Sequence, residues 1–137
     1  MIKLGTTFWG CSPDDPNTKH LWFVISDPGS NHGLAIIANM TTYRAGSEEC
    51  CVLQPGDHPA VKHKSVINYL RARNVSVANI EKAHKSRPDC IVFAEAADRE
   101  LIIRILQGAL ESKLINAECR AIINRDFKRY QSSSKDG

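Results

Sequence analysis

The sequence has no long apolar run, and no stretch approaches the roughly 20 consecutive apolar residues that a transmembrane helix needs. The first residues, Met1 to Gly5, also lack the apolar run of a secretory signal. These two absences predict a cytoplasmic protein without a membrane partner. The chain contains no P-loop, no dinucleotide-binding glycine pattern and no serine-centred nucleophile elbow, which argues against the corresponding classes of enzyme.

The cysteines do not form a pattern typical of disulfides or zinc. The chain has 5 of them, an odd number, and Cys50 and Cys51 are adjacent rather than spaced as Cys-x-x-Cys. Such usage suits a reducing compartment and small buried side chains. His58 and His63 could join a cysteine on zinc, but no third ligand stands at a suitable spacing. We therefore expect neither a metal nor another cofactor.

Length and composition predict one domain. With 137 residues, of which 42% are hydrophobic, the chain can build a single core but not two. We assign residues 1–130 to this domain. Residues 131–137 are rich in serine and charge, and we expect them to form a disordered tail.

Positive charge is concentrated in one segment, although the formal net charge of the whole chain is only +3. Between residues 60 and 87 the only acidic residue is Glu81, whereas the basic residues are Lys62, Lys64, Arg71, Arg73, Lys82, Lys85 and Arg87. This imbalance favours an anionic partner over the alternative of a solvated basic surface. The candidate RNA-binding residues are Lys62, Lys64, Arg71 and Arg73.

Aromatic and β-branched residues predict strands in the first half of the chain. Leu21–Ser26 and Leu34–Thr42 are separated by a turn-forming segment at residues 27–31, so we expect an antiparallel hairpin. Residues 6–10 and 50–53 are further strand candidates. Residues 11–19 contain many turn formers and are predicted to form a loop.

The second half of the chain favours helices. Residues 65–72 fit either a strand or a helix, and we favour a strand. A short helix is expected over residues 77–84 after Ser76, followed by an extended segment at 90–94. The next helix begins after Asp98 with one apolar face, formed by Ile102, Ile105, Leu106, Ala109 and Leu110. A last helix is expected from Asn116. The predicted fold is therefore α+β, a small antiparallel barrel or curved sheet with C-terminal helices packed on it.

Three segments together resemble the opening of MazF/PemK-like toxins. They are Gly5–Trp9, His20–Ser26 and Ala35–Thr42. This family has an SH3-like barrel shared with the gyrase-poisoning CcdB proteins. The resemblance implies an endoribonuclease of a type II toxin-antitoxin system, with RNA as substrate and an acidic antitoxin as partner. It leaves open whether the protein forms a homodimer.

The same resemblance points to two site residues. Thr41 matches a threonine at the end of the family's corresponding strand, and His20 stands where the family has an arginine. Arginine stays charged and stabilises a phosphorane, whereas histidine is suited to moving a proton. If the chain cleaves RNA, its catalytic roles are therefore redistributed relative to the family.

The segment Cys51–His63 carries the strongest catalytic signal, because it places two histidines in a turn between two apolar runs. Metal-independent RNA cleavage needs a base for the 2′-hydroxyl, an acid for the 5′-oxygen and a cation for the phosphorane. His58 and His63 are the predicted proton carriers, with His20 as a third candidate. Thr41 can donate a hydrogen bond to the scissile phosphate. The alternative is that these are ordinary turn and strand residues.

Two noncatalytic functions remain open from the sequence. One is a barrel that binds and inhibits a protein target, as the CcdB relatives do with gyrase. The other is a nucleic-acid or peptide-binding module that uses Trp9, Trp22 and Tyr43 as a stacking surface. RNA cleavage in the presence of a chelator would distinguish the enzyme from both.

Overall fold

The fold is α+β, as predicted from the sequence. The computed structural model describes residues 1–12 and 15–136 of the chain. In this part of the chain, six strands form one antiparallel sheet in the order β4-β5-β3-β2-β1-β6, which curls into a half-barrel. The elements are β1 (Thr7–Ser12), β2 (Asp15–Val24), β3 (Leu34–Thr42), β4 (Val52–Leu53), β5 (Ser65–Ser76), α1 (Val77–Ser86), β6 (Ile91–Ala94), α2 (Arg99–Glu111) and α3 (Ala117–Asp136).

Both faces of the sheet are buried in its centre, because alternate side chains of the central strands enter two different cores. On β2, Leu21 and Phe23 pack into the larger core, whereas Trp22 and Val24 pack into the smaller one. This period of two is the geometry of any strand. Hydrophobic residues on both faces explain why the last four residues of β2, Leu21–Val24, and the first five of β3, residues 34–38, are continuously apolar.

Helices α2 and α3 cover the larger core. Asp98 caps α2 as predicted, since its Oδ1 accepts a hydrogen bond of 2.8 Å from the backbone N–H of Leu101. Asn116 does the same for α3, through a hydrogen bond of 2.8 Å from the N–H of Cys119. The predicted apolar face of α2 is buried, with Leu110 at its half-buried margin.

Helix α1 covers the opposite face of the sheet, and only part of it. The helix is capped by Ser76, whose Oγ accepts from the N–H of Asn79 at 3.3 Å. Ile80 is its buried residue and joins Trp22 in the smaller core. Because α1 spans only residues 77–86, much of this face of the sheet extends past the helix. We call the whole sheet face on which α1 packs the α1 face.

Strand β5 confirms the strand assignment for residues 65–72, but the strand contains a large bulge. Asn39 pairs with Asn68 and Ile37 pairs with Arg73, so that Ala38 lies opposite all the residues from 69 to 72. A bulge bends the strand and turns its extra residues away from the ladder. Leu70 is consequently 65% exposed.

Gly108 allows α2 to approach the sheet closely. A Cβ atom at this position would lie 2.5 Å from the hydroxyl of Tyr69 and 2.7 Å from the carbonyl oxygen of Cys50. The Tyr69 hydroxyl donates a hydrogen bond of 2.6 Å to the carbonyl of Ile105 in the same helix. Burial raises the pKa of Tyr69 well above its usual value. The contact therefore fixes α2 against β5 through a neutral phenol.

Three local predictions differ from the structure. The loop predicted at residues 11–19 is largely strand, because β1 continues to Ser12 and β2 begins at Asp15; residues 13 and 14 lie outside the described residues. The strand predicted at 50–53 shortens to Val52–Leu53. Helix α3 continues to Asp136, although we predicted a disordered tail from residue 131. No proline or glycine interrupts the sequence there before Gly137.

None of the helices in the described part of the chain combines the length and the apolar character needed to span a membrane.

Candidate functional site

His58 is part of the packing rather than of an open site. Its side chain is 4% exposed, and both ring nitrogens contact backbone groups. Nδ1 accepts from the N–H of Ala60 at 3.0 Å, so the ring proton resides on Nε2, which donates to the carbonyl of Glu95 at 2.6 Å. The ring also meets Phe23 edge-on, with 5.9 Å between centroids.

This geometry argues against the catalytic role predicted for His58. A proton carrier must reach substrate through a free ring nitrogen, and here each nitrogen has a backbone partner. The carbonyl of Glu95 also accepts from the Thr7 hydroxyl at 2.7 Å. His58 therefore joins the turn before β5 to β1 and to the segment that leads into α2.

His63 differs from His58 in being exposed and in contacting a hydroxyl group. Its Nε2 lies 2.9 Å from Oγ1 of Thr42, the last residue of β3. The Ser65 hydroxyl donates to the backbone carbonyl of His63 at 2.9 Å, which holds the residue at the entrance to β5. An exposed imidazole beside a hydroxyl can exchange a proton with solvent or substrate.

A lysine and a tyrosine lie next to this pair. The Nζ atom of Lys64 lies 3.8 Å from the centre of the Tyr43 ring, a cation–π contact. A hydrogen bond to Glu49, together with the negative charge of that carboxylate, raises the pKa of Tyr43. Glu49 thus brings a negative charge to Tyr43, whereas Lys62, one residue before His63 in the chain, is exposed.

Thr41 and His20 share the α1 face of the sheet. On β3, the residues Ala35 and Ile37 enter the smaller core, so Asn39 and Thr41 follow on the same face. On β2, Trp22 pairs with Asn39. His20 and Thr41 each lie two residues beyond this pair on antiparallel strands, which places them on neighbouring strands of one face. Both side chains are partly exposed.

The sequence-predicted residues therefore fall into two groups. Thr41, His63 and Lys64 lie at one end of β3 and β5, with His20 on the adjacent strand β2. Thr42, which was not predicted from the sequence, contacts His63 there; by the period of two it lies on the face of Met40, opposite to Thr41. His58 is not part of this group. We call the group formed by His20, Thr41, Thr42 and His63 the β3-end site.

The strands that carry the β3-end site are basic. Lys19, His20, Arg71 and Arg73 belong to β2 and β5, and all are at least partly exposed. Among the strand residues that the structure describes, Asp15 is the only acidic one. A sheet with four such basic residues and a single acidic one favours an anionic ligand on its open face.

The stacking surface considered for Trp9, Trp22 and Tyr43 is not formed. Trp22 is 2% exposed and its indole N–H donates to the carbonyl of Gly10 at 3.2 Å. Trp9 packs against the larger core, and Lys64 lies over the Tyr43 ring. Because Trp22 is buried, the three rings do not form one exposed stacking surface.

Asn39 is a feature that sequence reasoning missed. It is 2% exposed, and its Oδ1 atom has no hydrogen-bond partner among the described residues. Buried polar atoms are rarely left unpaired. The signal was present in the sequence as one amide in the middle of an apolar strand. Asn39 and its pairing partner Asn68 make the centre of the α1 face polar.

Cysteine and metal chemistry receive little support from the donor groups. No three histidine, cysteine, aspartate or glutamate side chains converge within residues 1–12 and 15–136 in an arrangement that could hold a metal ion. Burial raises the pKa of Cys51 to about 11 and also raises the pKa of Cys119. These two thiols therefore stay protonated and poorly nucleophilic at neutral pH.

Comparison of the chain with models of known protein families and with curated protein sequences finds no match. The functional interpretation consequently depends on the geometry of the site and on the resemblance of the strand segments.

Proposed function

We propose that the chain is a metal-independent endoribonuclease of the MazF/PemK-like toxin class, cleaving single-stranded RNA. The observation that carries this proposal is the β3-end site itself, where His63 contacts Thr42 at 2.9 Å and His20 and Thr41 share the neighbouring sheet face. Two accessible imidazoles and two hydroxyls at the end of a basic sheet are the groups that acid–base cleavage of RNA requires.

The residues divide the reaction as follows. One imidazole of the pair His20 and His63 takes the proton from the 2′-hydroxyl, which attacks the adjacent phosphorus. The other imidazole protonates the departing 5′-oxygen. The Thr41 hydroxyl donates to a phosphate oxygen, and Lys62 supplies positive charge for the phosphorane. His58 stays outside the reaction and positions the turn.

The curled antiparallel sheet supports the assignment to the toxin class. An SH3-like barrel is small, antiparallel and strongly bent, and the half-barrel of this chain has those properties. The strands with the family-like segments, β1 to β3, are adjacent in the sheet. The threonine position of the family, Thr41, lies at the accessible end of β3.

The decisive experiment is RNA cleavage by the purified protein in the presence of a chelator. Single-stranded RNA should be cut to products with 2′,3′-cyclic phosphate ends, because the 2′-hydroxyl is the nucleophile. A 2′-deoxy strand of the same sequence should remain intact. Intact RNA at high protein concentration would overturn the proposal and favour a noncatalytic barrel that binds a protein or a nucleic acid.

A matched control comes from another histidine. His32 lies in the turn before β3, far along the strand from Thr41, and has a φ of 55°. Asparagine tolerates this left-handed conformation. His32→Asn therefore removes an exposed imidazole without strain and should leave cleavage unchanged.

The proposal also includes an acidic antitoxin and an intracellular RNA target. The basic residues of segment 60–87 lie in the loop before β5, on β5, on α1 and directly after α1, and all of them are exposed. An acidic, extended segment could cover this surface. Binding of a co-expressed acidic neighbour at low salt, lost at high salt, is the expected result of a pull-down. Unchanged recovery of the partner at high salt would contradict an electrostatic contact.

A further inference from the structure

A groove lies between α1 and the sheet, separate from the β3-end site. Its volume is about 520 Å³, and its lining comes from strands β1, β2, β3, β5 and β6, from α1 and from the turn before β6. Pockets that hold a single small molecule are about 300–1,000 Å³. The groove can therefore take one nucleotide-sized unit but not a folded domain.

The floor of the groove is apolar and carries a stacked guanidinium. Phe8, Trp22, Ile37 and Ile80 all line it, and all four are buried. The guanidinium carbon of Arg73 lies 5.0 Å from the centre of the Trp22 ring. This cation–π contact holds the Arg73 side chain across the groove and fixes the direction of its N–H donors.

Every charged residue that lines the groove is positive. Arg73 comes from β5 and Arg87 follows the last turn of α1. Within the described residues, neither guanidinium pairs with a carboxylate. The carboxylate of Glu118 approaches the lining residue Asn74, but it accepts a hydrogen bond of 3.1 Å from that amide. Among the described lining residues, the groove therefore has two guanidinium groups and no carboxylate above an apolar floor, with the Glu118 carboxylate at its edge beside Asn74.

The polar groups of the groove suit a nucleobase. Asn79 stands in the first turn of α1, is exposed, and offers both a donor and an acceptor through its amide. A guanidinium plane such as that of Arg73 is a surface on which an unpaired base can stack. The phosphate of a nucleotide could contact a guanidinium group, the edge of its base the Asn79 amide, and the face of its base the plane of a guanidinium.

We infer that this groove binds one nucleotide of a single-stranded RNA, with its phosphates at Arg73 and Arg87 and its base beside Asn79. The inference depends on the proposed function for its choice of RNA. The groove and two residues of the β3-end site, His20 and Thr41, share the α1 face of the sheet, so one strand can reach both. The groove would then select the nucleotide that flanks the cleaved bond.

The test measures binding without cleavage. The chain has 2 tryptophans, so the variant Trp9→Phe leaves Trp22, in the floor of the groove, as the sole emitter. A short single-stranded 2′-deoxy oligonucleotide cannot be cleaved through a 2′-hydroxyl, and it should change the Trp22 emission saturably. If fluorescence anisotropy shows that the oligonucleotide binds but the Trp22 emission does not change, the oligonucleotide binds elsewhere and the inference is wrong.

Charge-neutral variants locate the contact. Arg73→Gln and Arg87→Gln should each weaken oligonucleotide binding by roughly 10- to 100-fold, as expected for a lost hydrogen bond to a charged group. Arg129→Gln removes the same charge from an exposed position on α3, outside the groove, and should change binding by less than about threefold. Equal losses in all three variants would mean nonspecific attraction and would contradict a groove contact.

Protection of thiols from labelling provides a second measurement, which requires no change to the charge of the protein. Cys11 and Cys90 both line the groove and are partly exposed, whereas the partly exposed Cys50 lies elsewhere. Bound oligonucleotide should slow maleimide labelling of Cys11 and Cys90 but not of Cys50, as followed by mass spectrometry. Unchanged labelling of both groove thiols at saturating oligonucleotide contradicts the inference.

The two proposals fail separately. If RNA is cleaved but the groove variants bind and cleave like the wild type, the endoribonuclease stands and the groove inference fails. If the oligonucleotide binds in the groove but RNA stays intact, the groove is a nucleic-acid site and the endoribonuclease proposal fails.

Discussion

Nε2 of His63 lies 2.9 Å from Oγ1 of Thr42, and this contact joins the segment before β5 to the last residue of β3. The imidazole is exposed, and the hydroxyl can either donate to it or accept from it. The pair is thus the accessible imidazole–hydroxyl contact around which the proposed chemistry is arranged.

Replacing His63 by alanine should lower RNA cleavage by roughly 10²–10⁴-fold, because a general acid or base is lost. Thermal stability should change by less than about 0.5 kcal/mol, since the side chain is exposed. Single-turnover cleavage and thermal melting measure the two effects. The variant His32→Asn is the control and should match the wild type. Full activity of His63→Ala would remove this residue from the mechanism.

His58→Ala should have the opposite phenotype. The substitution leaves the partly buried N–H of Ala60 without its His58 partner and opens a cavity beside Phe23, which together should cost about 2–4 kcal/mol. The melting temperature should fall by roughly 6–16 °C. Cleavage per folded molecule, measured well below the transition, should stay within about threefold of the wild type. A stable but inactive His58→Ala protein would restore the catalytic interpretation of this histidine.

The role of His58 could not be obtained from the sequence. Its neighbours Pro55, Gly56 and Asp57 are turn formers, which predict exposure, whereas its burial depends on Glu95, far along the chain. The apolar segment Leu21–Val24 of β2 and the apolar strand β3 were predictable because they follow a local pattern, whereas the polar first half of β2 was predicted as a loop. Strand β5 was ambiguous because the bulge between Asn68 and Arg73 interrupts its period of two.

The β3-end site was predictable only in part, because its contacts also join residues that are far apart in the chain. Thr41 and His20 were found through the resemblance of whole strand segments, and His63 through its turn. The contact between His63 and Thr42 depends on the pairing of β3 with β5, a long-range register that composition does not encode. Asn39 was visible as a polar residue in an apolar strand, but its unpaired oxygen was not.

Asp57 should make stability depend on pH in the acidic range. Its carboxylate accepts from the N–H of Gln54 at 2.7 Å and pairs with Arg104 at 3.1 Å. The backbone hydrogen bond first, and Arg104 second, lower the pKa of Asp57 below its usual value of 3.8. A group with a lowered folded-state pKa stabilises the fold above its unfolded-state pKa, and this contribution is lost as the pH falls through the folded-state value.

Asp57→Asn should therefore lower the free energy of unfolding by about 0.5–1.5 kcal/mol at pH 7. The difference from the wild type should shrink as the pH falls below about 4, where the wild-type carboxyl becomes protonated. Urea denaturation at several pH values measures this. A difference that stays constant down to pH 2 would show that the charge of Asp57 contributes nothing to stability.

The cysteines should separate into reactive and unreactive sets. Burial raises the pKa of Cys51 to about 11, and the thiol is 4% exposed, so it should resist alkylation at pH 8 in the folded protein. Cys119 is buried as well, and its pKa is raised. Cys11 and Cys90 are partly exposed and should react first. Peptide mass spectrometry after a timed iodoacetamide pulse gives the order. Early labelling of Cys51 would contradict the packing of β4 against α2.

Expression of the chain without a partner should slow bacterial growth, since a toxin-class endoribonuclease degrades cellular RNA. His63→Ala and Thr41→Val should each relieve the arrest, because one removes an imidazole and the other a hydroxyl while keeping the β-branched shape of a strand residue. His32→Asn should remain toxic. Growth curves under matched induction, with soluble protein quantified for each variant, make the comparison direct. If all four proteins accumulate and growth is equal, the chain is not a toxin. If the wild type is toxic and both site variants are equally toxic, arrest proceeds without the β3-end site, as a noncatalytic inhibitor of a protein target would act.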